Sequence, residues 1–157
     1  MLKLNKTPKL NTAYGDIETM LKTWGIINPS LSDVSRAIVT IRKTKLPDPA
    51  QIGNAGSFFK NSIIEHSHFE TLKKTYPDIK SFPVANGKTK IAAAWLIEQA
   101  GWKGHRIENV GVHENQALVL VNYGDGTGKE LIDLAYKIMD SVKEKFGVIL
   151  IPEVNII

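Results

Sequence analysis

Gln116-Ala117-Leu118-Val119-Leu120-Val121-Asn122, turned by Gly124-Asp125-Gly126 and continued by Thr127-Gly128-Lys129-Glu130, is the stretch from which the fold is read. Its first seven residues have the short apolar length and β-branched content of an interior strand. Thr127 and Glu130 then stand as a capping box, and Leu131, Leu134, Ala135, Ile138, Val142 and Phe146 recur at helical spacing. This predicts the longest helix of the protein, stopped by Gly147. Beyond it, Val148-Ile149-Leu150-Ile151 reads as a final strand that delivers Glu153 just past Pro152. A carboxylate at the end of an apolar strand tends to be hydrogen-bonded or functional.

Upstream, Ile91 to Ile97 is apolar nearly all round, which predicts a buried helix from Thr89 that Gly101 ends, with Gly104 to Gly111 as a connection. Phe82-Pro83-Val84-Ala85-Asn86-Gly87 carries turn signals and reads as an irregular loop. Ser67 and Glu70 form a capping-box pattern that opens a short helix through about Thr75, after a brief buried turn at Ile63 and Ile64. Nearer the start, one helix runs from Asp16 to Gly25 and a second from Ser32 to about Lys43. Lys45-Leu46-Pro47-Asp48-Pro49 ends the second helix and is the expected domain boundary, because two prolines within three positions forbid continuation. The first thirteen residues read as a short strand or tail whose abrupt entry suits an excised fragment. The expected fold class is α+β, with helices packed on a small mixed or antiparallel sheet that holds the 116–122 and 148–151 segments.

Between the boundary and the short helix lies Gly53-Asn54-Ala55-Gly56-Ser57-Phe58-Phe59-Lys60-Asn61. Two glycines let a partner approach the main chain, and Ser57, Lys60 and Asn61 offer a hydroxyl, a cation and an amide. Such a loop can hold an oxyanion or a phosphate; equally, it can be a turn anchored by Phe58 and Phe59. It lacks both the Gly-Lys-Ser/Thr ending of a P-loop and the glycine-x-serine-x-glycine order of a hydrolase elbow.

Composition narrows the classes. The 157 residues, 43% hydrophobic and 23% charged, suit one compact domain with an appended segment, not a disordered chain. Without cysteine, no disulfide or thiolate metal site is possible. His66 and His68 lack a supporting carboxylate cluster, so no metal is expected. His105 and His113 have no positional link to Ser57, so no serine-histidine-aspartate triad is expected. The start carries no signal-peptide run and no later run could span a bilayer, which places the expected location in the cytoplasm with no membrane partner. The net charge of +4 favours an anionic partner, but the basic residues are interleaved with acids. A free-standing nucleotide or nucleic-acid binding module is therefore the second reading, and nucleic acid is not the expected partner.

The loop 53–61, preceded by Lys45-Leu46-Pro47-Asp48-Pro49 and succeeded in order by Ala92 to Glu98, Val112 to Asn122 and Pro152-Glu153-Val154, resembles UDP-N-acetylenolpyruvoylglucosamine reductase. The resemblance covers the C-terminal part of that family. It implies a tail of the flavin-binding domain over residues 1–46 and a substrate-binding domain over 47–157. The implied reaction is a two-stage reduction in peptidoglycan precursor synthesis. NADPH reduces FAD, and the flavin passes a hydride to the enolpyruvyl group of a UDP-sugar to give UDP-N-acetylmuramate. By resemblance Ser57 protonates the intermediate beside the carboxylate and Glu153 helps to stabilise it. Tyr14, Lys45, Asn61 and Gln116 match positions that contact the nucleotide diphosphate or its surroundings. Phe82 stands where a branch of the family folds a tyrosine over the nucleotide, and Asn155 where that branch can carry an arginine. The resemblance assigns no cofactor-binding residue to this chain, so the fragment is expected to lack its flavin domain and to be inactive alone.

Overall fold

The computed structural model describes residues 5–13 and 15–156. The chain divides into two compact units, residues 1–45 and 46–157. The first carries helices α1 (Ile17–Thr23) and α2 (Leu31–Lys45), packed through Ile17, Leu21 and Ala37 with Trp24, Val34 and Ile41 around them. α2 starts earlier than Ser32 because the cap is Ser30: its hydroxyl accepts from the Asp33 N–H while the Asp33 carboxylate accepts from the Ser30 N–H at 2.9 Å. Asp16 makes no side-chain cap on α1; it pairs with Lys45 instead.

The second unit is α+β, and every strand pairing described in it is antiparallel. Its strands are β1 (Gly53–Ser57), β2 (Ser62–Glu65), β3 (Ser81–Pro83), β4 (Lys88–Ile91), β5 (Arg106–Ile107), β6 (Val110–Val112) and β7 (Val119–Asn122). They form two sheets where one was expected, in the orders β1-β7-β6-β5 and β2-β4-β3. Helices α3 (His66–Thr75), α4 (Ala93–Gln99) and α5 (Gly128–Phe146) complete the unit. The core joins Ile91, Leu96, Ile97, Val112, Leu134, Ile138, Val142 and Leu150, and Tyr76, Trp95 and Phe146 meet edge-on or tilted within 5.8 Å of one another.

α5 begins as its sequence predicts: the Thr127 hydroxyl and the Glu130 carboxylate cap one another's main chain, and Gly147 closes the helix in the left-handed region at φ 65°. Other expectations are corrected. The Phe82 to Gly87 loop is part of the β3–β4 hairpin, in which Asn86 and Gly87 both take positive φ. Ile63 and Ile64 lie in strand β2, and Ile63 is exposed. α3 starts at His66 without a side-chain cap, because the β3–β4 hairpin already supplies the Gly87 carbonyl to the His66 N–H at 3.1 Å. Residues 104–111 contain the β5–β6 hairpin. Gln116 lies in a turn before β7, where its carbonyl accepts from Val119 N–H.

Val148 to Ile151 alternates buried and exposed like a strand, yet it is not one. The partner it meets, residues 58–62, is the crossover from the first sheet to the second, so pairing is limited to a single bridge between Phe59 and Pro152 and isolated hydrogen bonds. Among the described residues no helix is long and apolar enough to cross a membrane.

Candidate functional site

The glycine-rich stretch is an edge strand, not a loop. β7 is buried along Val119, Leu120 and Val121 and needs a main-chain partner on its free edge. β1 supplies it despite two glycines, with Gly53 facing Asn122, Asn54 facing Val121 and Ser57 facing Val119. Pairing demand overrides the poor strand propensity of glycine. Ala55 and Gly56 together stand against the single residue Leu120, so one residue is extra in that register and the strand bulges. Gly56 takes φ +73° there, and its N–H donates to the Asn54 side-chain oxygen at 3.1 Å. A bulge bends its strand and re-aims the next side chain along it, here that of Ser57.

Ser57 is exposed and lines an open cleft of about 620 Å³ together with Ala55, Glu153, Val154 and Asn155. Glu153 arrives from the other end of the unit. Its N–H donates to the Phe58 carbonyl at 2.8 Å, and the Lys60 N–H donates to the Ile151 carbonyl at 2.9 Å. Phe59 between them is buried to 1% exposure and anchors this junction in the core. The cleft is thus lined by a hydroxyl, a carboxylate and an amide, a set that includes donors able to hydrogen-bond a carboxylate-bearing ligand.

Residues 48–157 match the family described as UDP-N-acetylenolpyruvoylglucosamine reductase, C-terminal domain. The chain belongs to this family. Proteins named UDP-N-acetylenolpyruvoylglucosamine reductase are similar along nearly its whole length. That of Amoebophilus asiaticus is 52% identical over 156 residues, 99% of this chain and 46% of that protein. Those of Flavobacterium johnsoniae and Chromobacterium violaceum are 50% identical over 95% and 96% of this chain, and 44% of each of those proteins. The chain therefore spans under half the length of the relatives it matches.

Within this reductase domain the expected site residues fall into different surroundings. Ser57 and Glu153 share the cleft. Asn61 has its side-chain oxygen engaged: it accepts from the Ala93 N–H at 2.9 Å and so satisfies the first turn of α4 from outside. Phe82 is half-exposed on β3, with the Lys90 ammonium 5.9 Å from its ring centre, and Gln116 is half-buried in its turn. None of these three is among the cleft-lining residues. Lys45, in the first unit, is ion-paired with Asp16, and Tyr14 lies outside the described residues. Ala55 and Val154 complete the cleft although the sequence does not single them out, since neither carries a chemical signal; only their flanking of Ser57 and Glu153 places them there.

His66 bonds Thr89 at 3.0 Å and His68 bonds the Phe146 carbonyl at 3.0 Å, so each imidazole is tied to a separate structural partner. No group of three histidine, aspartate or glutamate side chains arranged for a metal occurs among the described residues.

Proposed function

We propose that this chain is the substrate-binding domain of a UDP-N-acetylenolpyruvoylglucosamine reductase, with residues 1–46 the tail of the preceding flavin domain, and that Ser57 and Glu153 are its catalytic pair. The observation that carries the proposal is the cleft itself: the two side chains lie far apart in sequence and line one opening, with the Glu153 N–H bonded to the Phe58 carbonyl. The substrate is UDP-N-acetylglucosamine enolpyruvate and the product UDP-N-acetylmuramate, a precursor of peptidoglycan, made in the cytoplasm.

In this reading hydride addition to one alkene carbon leaves an enolate-like intermediate, and the Ser57 hydroxyl gives a proton to the carbon beside the carboxylate. Serine is a weak acid, so the neighbouring donors that stabilise its alkoxide decide the rate. The open cleft lets water return the proton. Glu153, across the same cleft, helps to stabilise the intermediate. Tyr14, Lys45, Asn61, Phe82 and Gln116 are the proposed nucleotide contacts.

FAD reduced by NADPH is the proposed hydride source for the complete reaction. The cleft-lining residues do not fit that cofactor: they include no cation and no helix N-terminus to face a dinucleotide diphosphate. The share of the chemistry assigned to this chain is substrate binding and proton delivery, and the chain alone is expected to perform no reduction. Titration of the substrate into the labelled chain with NMR detection tests the reading. Shifts at Ser57, Glu153 and Asn155 are expected; saturating ligand with no shift at any of them overturns it.

A further inference from the structure

Glu153 and the strand that carries Ser57 are joined by a short ladder outside either sheet. Glu153 N–H donates to the Phe58 carbonyl, Phe59 and Pro152 form an antiparallel bridge, and Lys60 N–H donates to the Ile151 carbonyl. One rung further along the same register, Ser62 meets Ile149. The bond there is made by the side chain: the Ser62 hydroxyl donates to the Ile149 carbonyl at 3.0 Å. The Ser62 main chain is committed to β2, opposite Ile91 of β4. Ser62 is 7% exposed, and a buried hydroxyl and carbonyl that lose each other have little water to turn to.

We propose that Ser62 is the positioning residue that sets Glu153 against Ser57: its hydroxyl replaces the main-chain rung that the crossover into the second sheet removes. This role rests on the reading of Ser57 and Glu153 as the site. Val148 and Leu150 hold their segment in the core through apolar contact, which is non-directional. A directional hydrogen bond at Ile149 fixes the register in which Ile151 and Glu153 reach Lys60 and Phe58.

Thr89 provides a matched control. It is the other buried polar side chain of this sheet, at 4% exposure, and its hydroxyl bonds His66, away from the ladder. Amide hydrogen exchange of Ser62→Ala, Ser62→Thr and Thr89→Val is compared with the wild-type chain, taking Lys60 and Glu153 relative to Val121 in β7. In Ser62→Ala the Lys60 and Glu153 amides are expected to exchange roughly two- to tenfold faster relative to Val121, the loss of one net hydrogen bond. Ser62→Thr restores the wild-type ratio, and Thr89→Val lowers the unfolding midpoint while leaving the ratio unchanged. An unchanged ratio in Ser62→Ala overturns the proposal, as does an equal rise in Thr89→Val, which would reduce Ser62 to general stability. Binding of the UDP-sugar to the wild-type chain is measured in parallel. Its absence refutes the functional reading while the exchange ratios still decide the positioning role.

Discussion

Asn61 separates a structural duty from a binding duty, and two substitutions should pull them apart. Its side-chain oxygen accepts the Ala93 N–H at 2.9 Å, one of the donors that a helix start leaves without an internal partner. Asn61→Ala removes that acceptor, and losing a side-chain cap costs about 1 kcal/mol. A midpoint shift of roughly 3–4 °C is expected for a domain of this length. Asn61→Asp keeps an acceptor in place and adds negative charge at a helix N-terminus, which is worth about 0.3–1 kcal/mol in the stabilising direction. Its melting midpoint should equal or exceed the wild-type value. The aspartate, however, has lost both amide donors and would repel a diphosphate. If Asn61 contacts the nucleotide as proposed, UDP-sugar affinity should fall in both variants, by at least roughly two- to tenfold for one lost hydrogen bond. Differential scanning fluorimetry and ligand titration by NMR supply the two readouts. An aspartate variant that melts as low as the alanine variant would refute the capping argument; one that binds as wild type would refute the contact.

Ser57→Ala should leave the unfolding free energy within about 0.5 kcal/mol of wild type, because the side chain is exposed. The same change in a full-length relative should lower kcat by roughly 10²–10⁴ with KM little changed, measured by steady-state kinetics. Gly111→Ala should destabilise the domain by about 1–3 kcal/mol in urea melts, since its Cβ would come within 2.8 Å of the His105 carbonyl oxygen and 3.1 Å of the Arg106 Cα. The Thr127 main-chain N–H and hydroxyl hold the Glu130 carboxyl below its ordinary range. Its contribution is therefore complete above the ordinary glutamate pKa of about 4.3 and is lost as pH falls through the lower folded value. Urea midpoints measured across acidic pH should decline more gently in Glu130→Gln than in wild type.

Much of the second unit is legible in the sequence because its signals are local. The α5 capping box, its apolar stripe and its terminal glycine all act within a few turns of one helix, so the sequence states them outright. The α+β class comes from that helix beside the β-branched run that forms β7. The glycine-rich stretch reads as a loop, and no local rule contains the reason that it is a strand: the buried β7 needs a partner along its free edge. The 148–151 segment errs the other way, since its alternation is that of a strand while its neighbour changes sheets and cannot continue the pairing.

The candidate site divides along the same line. The order of motifs along the chain is enough to bring out Ser57 and Glu153 and to point to the family, because chemistry-bearing residue types and their flanking patterns are properties of the sequence itself. That the two share one cleft is decided by tertiary structure, through the bulge that re-aims Ser57 and the ladder that brings Glu153 to Phe58. The same holds for Asn61 capping a helix and for Ser62 standing in for a main-chain rung. Each is a hydrogen bond to a main-chain group distant in sequence, and only the folded chain determines which groups lie within reach.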